Sequence, residues 1–319
     1  MHIGILGTPE NPYVVELQRA ASTHFPDLTT ELLKFGDLQV GLGSAATERA
    51  ARLGAGDSSG QADPSGQAHP SSQAHPSSQG DSLGCDALII RSMPIGSLEQ
   101  VIFRMDCLQT WQSRGVAVHN PPRSLEIAID KWLCLQRLVE LDVPVPETIC
   151  CQTRNAAMQA FEVLGGDVLV KPLFGGEGRG ILRADSKDLA WRLFGTLQQL
   201  GQVLYVQQFV EHLGYDIRVL FVGDRHFAIR RQAAAGQWRT NISQGSCAQP
   251  HHLSSSQQEL AERSREAVGG GLLGVDILPA RDGRLFVLEV NAVPGWRGLA
   301  RALEVDIAKI YLSWVLRRS

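Results

Sequence analysis

The chain has 319 residues, 44% hydrophobic and 20% charged, enough apolar material for a large core divided among subdomains. Thirty basic against 33 acidic residues leave a formal charge of -3, so no global field draws it to nucleic acid or to an anionic membrane. The opening Met1 to Gly7 is too short for a secretory leader and no later apolar run approaches a membrane span, which predicts a cytoplasmic protein.

In chain order, His2 to Gly7 predicts an apolar strand, Val14 to Ala21 an amphipathic helix and Asp86 to Arg91 a second strand, the alternation of an open α/β unit. From about Ser44 to Leu83 the chain turns to Gly, Ser, Gln, Ala and Pro, and the hexapeptide Gln67 to Ser72 is repeated at once as Gln73 to Ser78. Burial of so few large apolar groups cannot offset the entropy of ordering them, so the stretch is expected to be a disordered insertion. A helix over Leu98 to Ser113, the strand Val116 to His119 and the turn Asn120-Pro121-Pro122 close this unit. A second unit is expected from Arg123, with helices at Asp130 to Leu141, Ala156 to Leu164 and Lys187 to Gln199. Its strands are expected at Thr148 to Cys151, Asp167 to Pro172 and Val203 to Val210. The final third predicts strands Ile217 to Val222, His226 to Arg231, Leu273 to Pro279 and Leu285 to Asn291. Its helices are expected at Gln257 to Val268 and Val305 to Leu316. Cys85, Cys107, Cys134, Cys150, Cys151 and Cys247 show no metal spacing and read as reduced thiols, mostly buried. His251 and His252 read as solvated loop residues.

Three segments carry chemistry. In Val287-Leu288-Glu289-Val290-Asn291, residues two apart share a strand face, so Glu289 and Asn291 project together while Leu288 and Val290 face the other way. With Asp276 on a neighbouring strand they make an oxygen set suited to magnesium shared with phosphate. Leu169-Val170-Lys171-Pro172 presents a lysine at a strand end, and Gly175, Gly176, Gly178 and Gly180 then let backbone approach phosphate oxygens, although no P-loop or dinucleotide pattern is present. Arg218, Arg231 and Arg239 fall where strands or their connection face one cleft, and guanidinium groups suit an acyl phosphate or a transferring phosphoryl group.

Taken in order, Asp130-Lys131, Leu169-Val170-Lys171, Gly175 to Gly180, Val206-Gln207-Gln208-Phe209-Val210, Tyr215-Asp216-Ile217-Arg218, Arg239-Thr240-Asn241, Gly274-Val275-Asp276 and Glu289 to Gly295 resemble the ATP-grasp superfamily. The resemblance is to its RimK-like amino-acid ligases, from about Asn120 to Arg318. It implies an α/β (α+β) fold, with an ATP-grasp domain over 123–319 behind a smaller pre-ATP-grasp α/β domain over 1–122. It implies that Lys131 and Lys171 contact ATP phosphates together with Gly175, Gly176 and Gly178. Gln207, Gln208, Phe209 and Val210 are implied to form the hinge whose backbone holds adenine, and Asp216 to lie beside ribose. Asp276, Glu289 and Asn291 would bind Mg2+, or Mn2+ in its place, while Arg218, Arg231, Arg239 and Asn241 line the acyl-phosphate side. Two positions depart from the family: Gln208 stands where an acidic residue is usual, and Ser246 where glycine is common.

The implied activity is ATP-dependent joining of a carboxylate to an amine through an acyl phosphate, with glutamate added to a small cofactor such as a pterin or to a protein terminus. The partners would be ATP, a carboxylate and an amine, with no nucleic acid and no membrane; a homo-oligomer is compatible with the sequence. The alternatives are another carboxylate-amine or carboxylate-thiol ligase of the superfamily, or a catalytically silent nucleotide-binding module.

Overall fold

The structure is a computed structural model that describes residues 1–41, 84–175, 179–234, 236–239 and 247–319. The expected insertion with its repeat, and the candidate residues Gly176, Gly178 and Asn241, lie outside the described residues. The chain forms two compact units, residues 1–119 with 315–319, and residues 120–314. The expected boundary at Pro122 and Arg123 thus falls at His119 and Asn120, and the last five residues group with the first unit rather than the second.

The first unit is a parallel sheet of strands β1 (His2–Leu6), β2 (Thr29–Leu33), β3 (Ala87–Ile90) and β4 (Ala117–His119) in the order β2-β1-β3-β4. All four residues of β3 are buried, the apolar run required of an interior parallel strand. Helix α1 (Pro12–His24) starts where Asn11 accepts the Tyr13 N–H and Pro12 enters the first turn, and α2 (Leu98–Ser113) starts on a Ser97/Gln100 capping box. The edge strand β2 was not expected, because Thr-Thr-Glu-Leu-Leu is half polar and its apolar side is recognisable only once β1 lies against it.

The second unit carries two antiparallel sheets. One comprises β5 (Thr148–Cys151), β6 (Val168–Lys171), β7 (Leu182–Ala184) and β8 (Leu204–Gln208), in the order β5-β8-β6-β7. Helices α5 (Arg154–Val163) and α6 (Lys187–Gln199) supply Ala157, Phe161, Ala190 and Phe194 to a core shared with Val168, Val170, Leu204 and Val206. The other sheet comprises β9 (Tyr215–Val222), β10 (Arg225–Gln232), β11 (Cys247–Pro250), β12 (Leu272–Pro279) and β13 (Leu285–Asn291), in the order β11-β10-β9-β12-β13.

Helices α3 (Pro122–Ile129), α4 (Lys131–Glu140), α7 (Ser255–Val268), α8 (Arg297–Leu303) and α9 (Ile307–Val315) complete the fold. Helix α3 replaces the expected turn, since a proline at the first helical position loses no intrahelical hydrogen bond and its fixed φ suits the helix. The buried Asn120 just before it ties three segments together. Its Nδ2 donates to the carbonyls of Leu272 and Ala292 at 2.6 and 2.7 Å, and its Oδ1 accepts from the N–H groups of Gly271 and Leu272 at 2.8 and 2.9 Å. Both Nδ2 protons and both Oδ1 lone pairs are used, which anchors the start of the unit to the interior strand β12. All six cysteines are free thiols.

Candidate active site

Lys131, Lys171, Arg218, Arg231, Asp276, Glu289 and Asn291 come together in the second unit, and strand register explains how the sheet residues do so. Across β9, β12 and β13 the direct partners are Arg218, Asp276 and Glu289, so one row of the sheet carries a guanidinium and two carboxylates. One step away, Asp216 on β9 faces Arg231 on β10. The register between β12 and β13 shifts after Asp276, which pairs with Glu289 while Ile277 pairs with Val287. Leu288 is therefore the extra residue of an irregularity at the site, where the sequence alone predicts simple alternation.

Arg231 makes a fork to Asp216, Nε to Oδ1 and Nη2 to Oδ2 both at 2.6 Å, and its Nη2 also lies 2.9 Å from Asp276 Oδ2. Arg218 closes on Asp276 from the other side through Nε to Oδ1 and through Nη2 to Oδ2 at 2.8 Å. Asp216, Asp276 and Arg231 are buried. Burial alone would raise the Asp276 pKa, but Arg218 and Arg231 outweigh it and hold the carboxyl below its ordinary value. Burial opposes the Arg231 charge, and Asp276 and Asp216 more than restore it, so that group stays ionised. Both oxygens of the Asp216 carboxylate accept from Arg231, which holds the guanidinium in place.

The two lysines approach from the other elements. Lys131 is the first residue of α4, whose N-terminus is capped by Asp130 Oδ1 accepting from the N–H groups of Trp132 and Leu133 at 2.9 and 3.1 Å. Its Nζ donates to Gly175 O at 2.6 Å, holding the entry of the glycine-rich segment. Gly175 has φ 120°, a backbone conformation that side chains rarely adopt. Lys171, at the end of β6, is buried and donates to Gln207 Oε1 at 2.6 Å. Burial lowers its pKa to about 8 although Glu289 and Asp276 raise it, and Lys131 lowers it further. Burial likewise lowers Lys131, against the field of Glu289. Lys131, Lys171, Arg218 and Arg231 gather four cationic groups around the carboxylates of Asp130, Asp216, Asp276 and Glu289, and the two lysines are the cations not locked in a carboxylate fork.

Glu289 and Asn291 project together from β13, and Asn291 Nδ2 donates to Glu289 Oε1 at 3.0 Å. That bond turns the amide oxygen of Asn291 away from Glu289, where it can serve as a neutral oxygen donor. Among the described residues no three His, Cys, Asp or Glu side chains gather into a metal cage. Two carboxylates and an amide instead suit a hard cation that completes its shell with water and phosphate oxygens. Of the three, Asp276 could contribute only by sharing its oxygens with the arginines.

The remaining expected residues are distributed differently. The hinge residues Gln207 and Gln208 belong to β8, and Phe209 and Val210 follow it. The N–H groups of Gln208 and Phe209 already donate to Glu147 O and Asp167 O at 2.8 and 3.0 Å, so these two donors are committed within the fold. Arg239 does not join the Asp216–Arg231–Asp276–Arg218 cluster. Its Nη2 donates to Ile181 O at 2.8 Å beside the glycine-rich segment, and its guanidinium lies over Trp238. Trp238 meets Phe209 edge-on, and Phe209 also packs against His212 and beneath Arg183. Thr148, Tyr205 and His212 carry no motif in the sequence; strand pairing brings Thr148 to Gln207, while Tyr205 and His212 reach Gln207 and Phe209 from two and three residues away along the chain.

The residues from 128 to 315 match the model of the RimK-like ATP-grasp domain. The chain is 32% identical to the tetrahydromethanopterin:alpha-L-glutamate ligase of Methanosarcina acetivorans over 72% of its own length and 79% of that protein's. It is 33% identical to a probable alpha-L-glutamate ligase of Trichodesmium erythraeum, over 72% of this chain and 76% of that one. The fold matches the crystal structure of a RimK domain ATP-grasp protein from Sphaerobacter thermophilus with a TM-score of 0.67 at 20% identity, covering 99% of this chain and 100% of the other. The matched domain model, the relatives that cover most of the chain and the shared fold make this an ATP-grasp enzyme, an ATP-dependent carboxylate-amine ligase. Within that class the chain belongs to the RimK-like family. Among the described residues no helix is long and apolar enough to cross a membrane.

Proposed function

We propose that this ligase adds L-glutamate to the carboxylate of a pterin-type cofactor through an acyl-phosphate intermediate. The observation that carries the chemistry is the convergence of Lys131 and Lys171 on the face that holds Asp276, Glu289 and Asn291. The glutamate and pterin assignment is supported by the relative from Methanosarcina acetivorans, which matches most of both chains.

A carboxylate resists amine attack because its leaving group would be oxide, and transfer of the ATP γ-phosphoryl group to it creates a better one. Lys171 and Lys131 would hold the phosphates and offset the charge that accumulates during transfer. Asp276, Glu289 and Asn291 would hold Mg2+, which would offset the negative charge that accumulates on the phosphates. Arg218, released in part from Asp276, would bind the acyl phosphate while the amine attacks its carbonyl carbon, forming the amide and releasing phosphate. Arg231, locked by Asp216, helps Arg218 keep the buried Asp276 carboxylate ionised.

The test is incubation of the purified chain with ATP, Mg2+, L-glutamate and a panel of tetrahydropterin carboxylates, followed by mass spectrometry. The expected product has gained one glutamyl residue per ADP formed. ADP formation driven by a different carboxylate and amine, with no glutamylated pterin, would overturn the substrate assignment and keep the reaction class. Absence of any acceptor-stimulated ADP formation would overturn both.

A further inference from the structure

Gln207 lies in the segment expected to serve through its backbone, yet its side chain is buried and uses its amide in a definite direction. Its Nε2 donates to Thr148 Oγ1 at 2.8 Å and to Tyr205 OH at 3.2 Å, and its Oε1 accepts from Lys171 Nζ at 2.6 Å. Thr148 donates its own hydroxyl proton to Pro146 O at 2.8 Å, so toward Gln207 it can only accept. A flipped amide would present Oε1 to that oxygen lone pair and set its NH2 against an ammonium, two repulsive contacts in a buried space. The orientation is therefore fixed by the chain Pro146–Thr148–Gln207–Lys171, which runs across β5, β8 and β6.

An ammonium has three N–H donors, and Gln207 takes one of them. A lysine side chain has four rotatable carbons, and one short hydrogen bond to a fixed acceptor removes much of that freedom before any ligand arrives. We propose that Gln207 is a positioning residue that, itself oriented by Thr148 and Tyr205, aims the Lys171 ammonium at the ATP phosphates. The proposal rests on the phosphate role of Lys171 given above.

The experiment is calorimetric titration of the full chain with ATP in excess Mg2+, which needs no acceptor substrate, with melting measured in parallel. It compares wild type, Lys171→Met, Gln207→Met, Thr148→Val, and both of the latter combined with Lys171→Met. Gln207→Met keeps length and volume and removes the acceptor, and should weaken nucleotide binding about 5- to 10-fold. Thr148→Val keeps shape, loosens the amide and should weaken binding about 2- to 3-fold. Neither change should add to the loss already caused by Lys171→Met, because a residue acting through Lys171 has nothing left to position.

Additive losses in the double variants, or wild-type binding by Gln207→Met while Lys171→Met is impaired, would overturn the positioning role and leave the lysine's role standing. Wild-type binding by Lys171→Met would overturn both. If Gln207→Met fails to fold, the Thr148→Val pair decides: a loss absent from the Lys171→Met background supports the chain, and an undiminished or absent loss overturns it.

Discussion

Replacement of Lys171 by methionine separates a catalytic lysine from a structural one. Burial takes its pKa from an ordinary 10.5 to about 8, and at about 1.4 kcal/mol per pKa unit the fold carries about 3 kcal/mol to keep the group charged near neutrality. Methionine removes that cost and retains most of the apolar stem. It also leaves Gln207 Oε1, buried on β8, without its donor, a loss of about 1–3 kcal/mol. The two effects oppose each other, so the melting midpoint should move by no more than about 5 °C. Turnover, by contrast, loses a preorganised charge at the transferring phosphoryl group and should fall by ~10²-fold or more. Lys171→Arg should also be impaired, since a planar guanidinium cannot occupy the space of a compact ammonium held at 2.6 Å from Gln207. Acceptor-stimulated ADP release measures the rate, and a thermal melt checks the fold. Near-normal turnover in the methionine variant would refute the phosphate role, and a collapse of melting would show that the lysine serves the fold instead.

The same lysine sets a pH dependence. Because its folded pKa is depressed, the unfolded chain binds the proton more tightly; this group's contribution to stability is present above about 10.5 and is lost as pH falls through about 8. Turnover should run the other way, declining as pH rises past about 8, and a pH-rate profile flat to pH 10 would contradict the assignment. Glu289→Gln and Asn291→Ala should each abolish magnesium-dependent turnover with melting little changed, and retention of that turnover by both would remove the metal assignment. Asp216→Asn should cost about 3 kcal/mol of stability, because Arg231 is left buried with a partner missing; an unchanged melt with a raised KM for ATP would restore Asp216 to the ribose. Asn120→Ala should destabilise the protein by about 3 kcal/mol or more, since two carbonyls and two N–H groups lose their partner at once; a loss under about 1 kcal/mol in a urea melt would refute that reading.

What the sequence determined by itself was the order of the candidate groups along the chain. Lys171, Asp276, Glu289 and Asn291 fall at strand ends or on strands whose period assigns a face, and the family resemblance added Lys131. The longer helices were legible as well, with Ser97, Asp130 and Ser254 marking their starts. The short edge strands β2, β7 and β11 were not, because their few residues gain their apolar contacts only from a neighbouring strand.

Only the tertiary structure decided how those groups divide their work. A carboxylate in a sequence does not reveal which cation it will meet, and pairing register alone set Asp216 against Arg231 and Asp276 between two arginines. Register likewise set Gln207 beside Lys171 and Thr148, turning a residue read for its backbone into one that acts through its side chain. Local sequence carries periodicity and capping because those depend on neighbours along the chain. Charge pairing and amide orientation depend on residues 15 to 59 positions away, brought together by sheets whose strand order is not the order of the sequence.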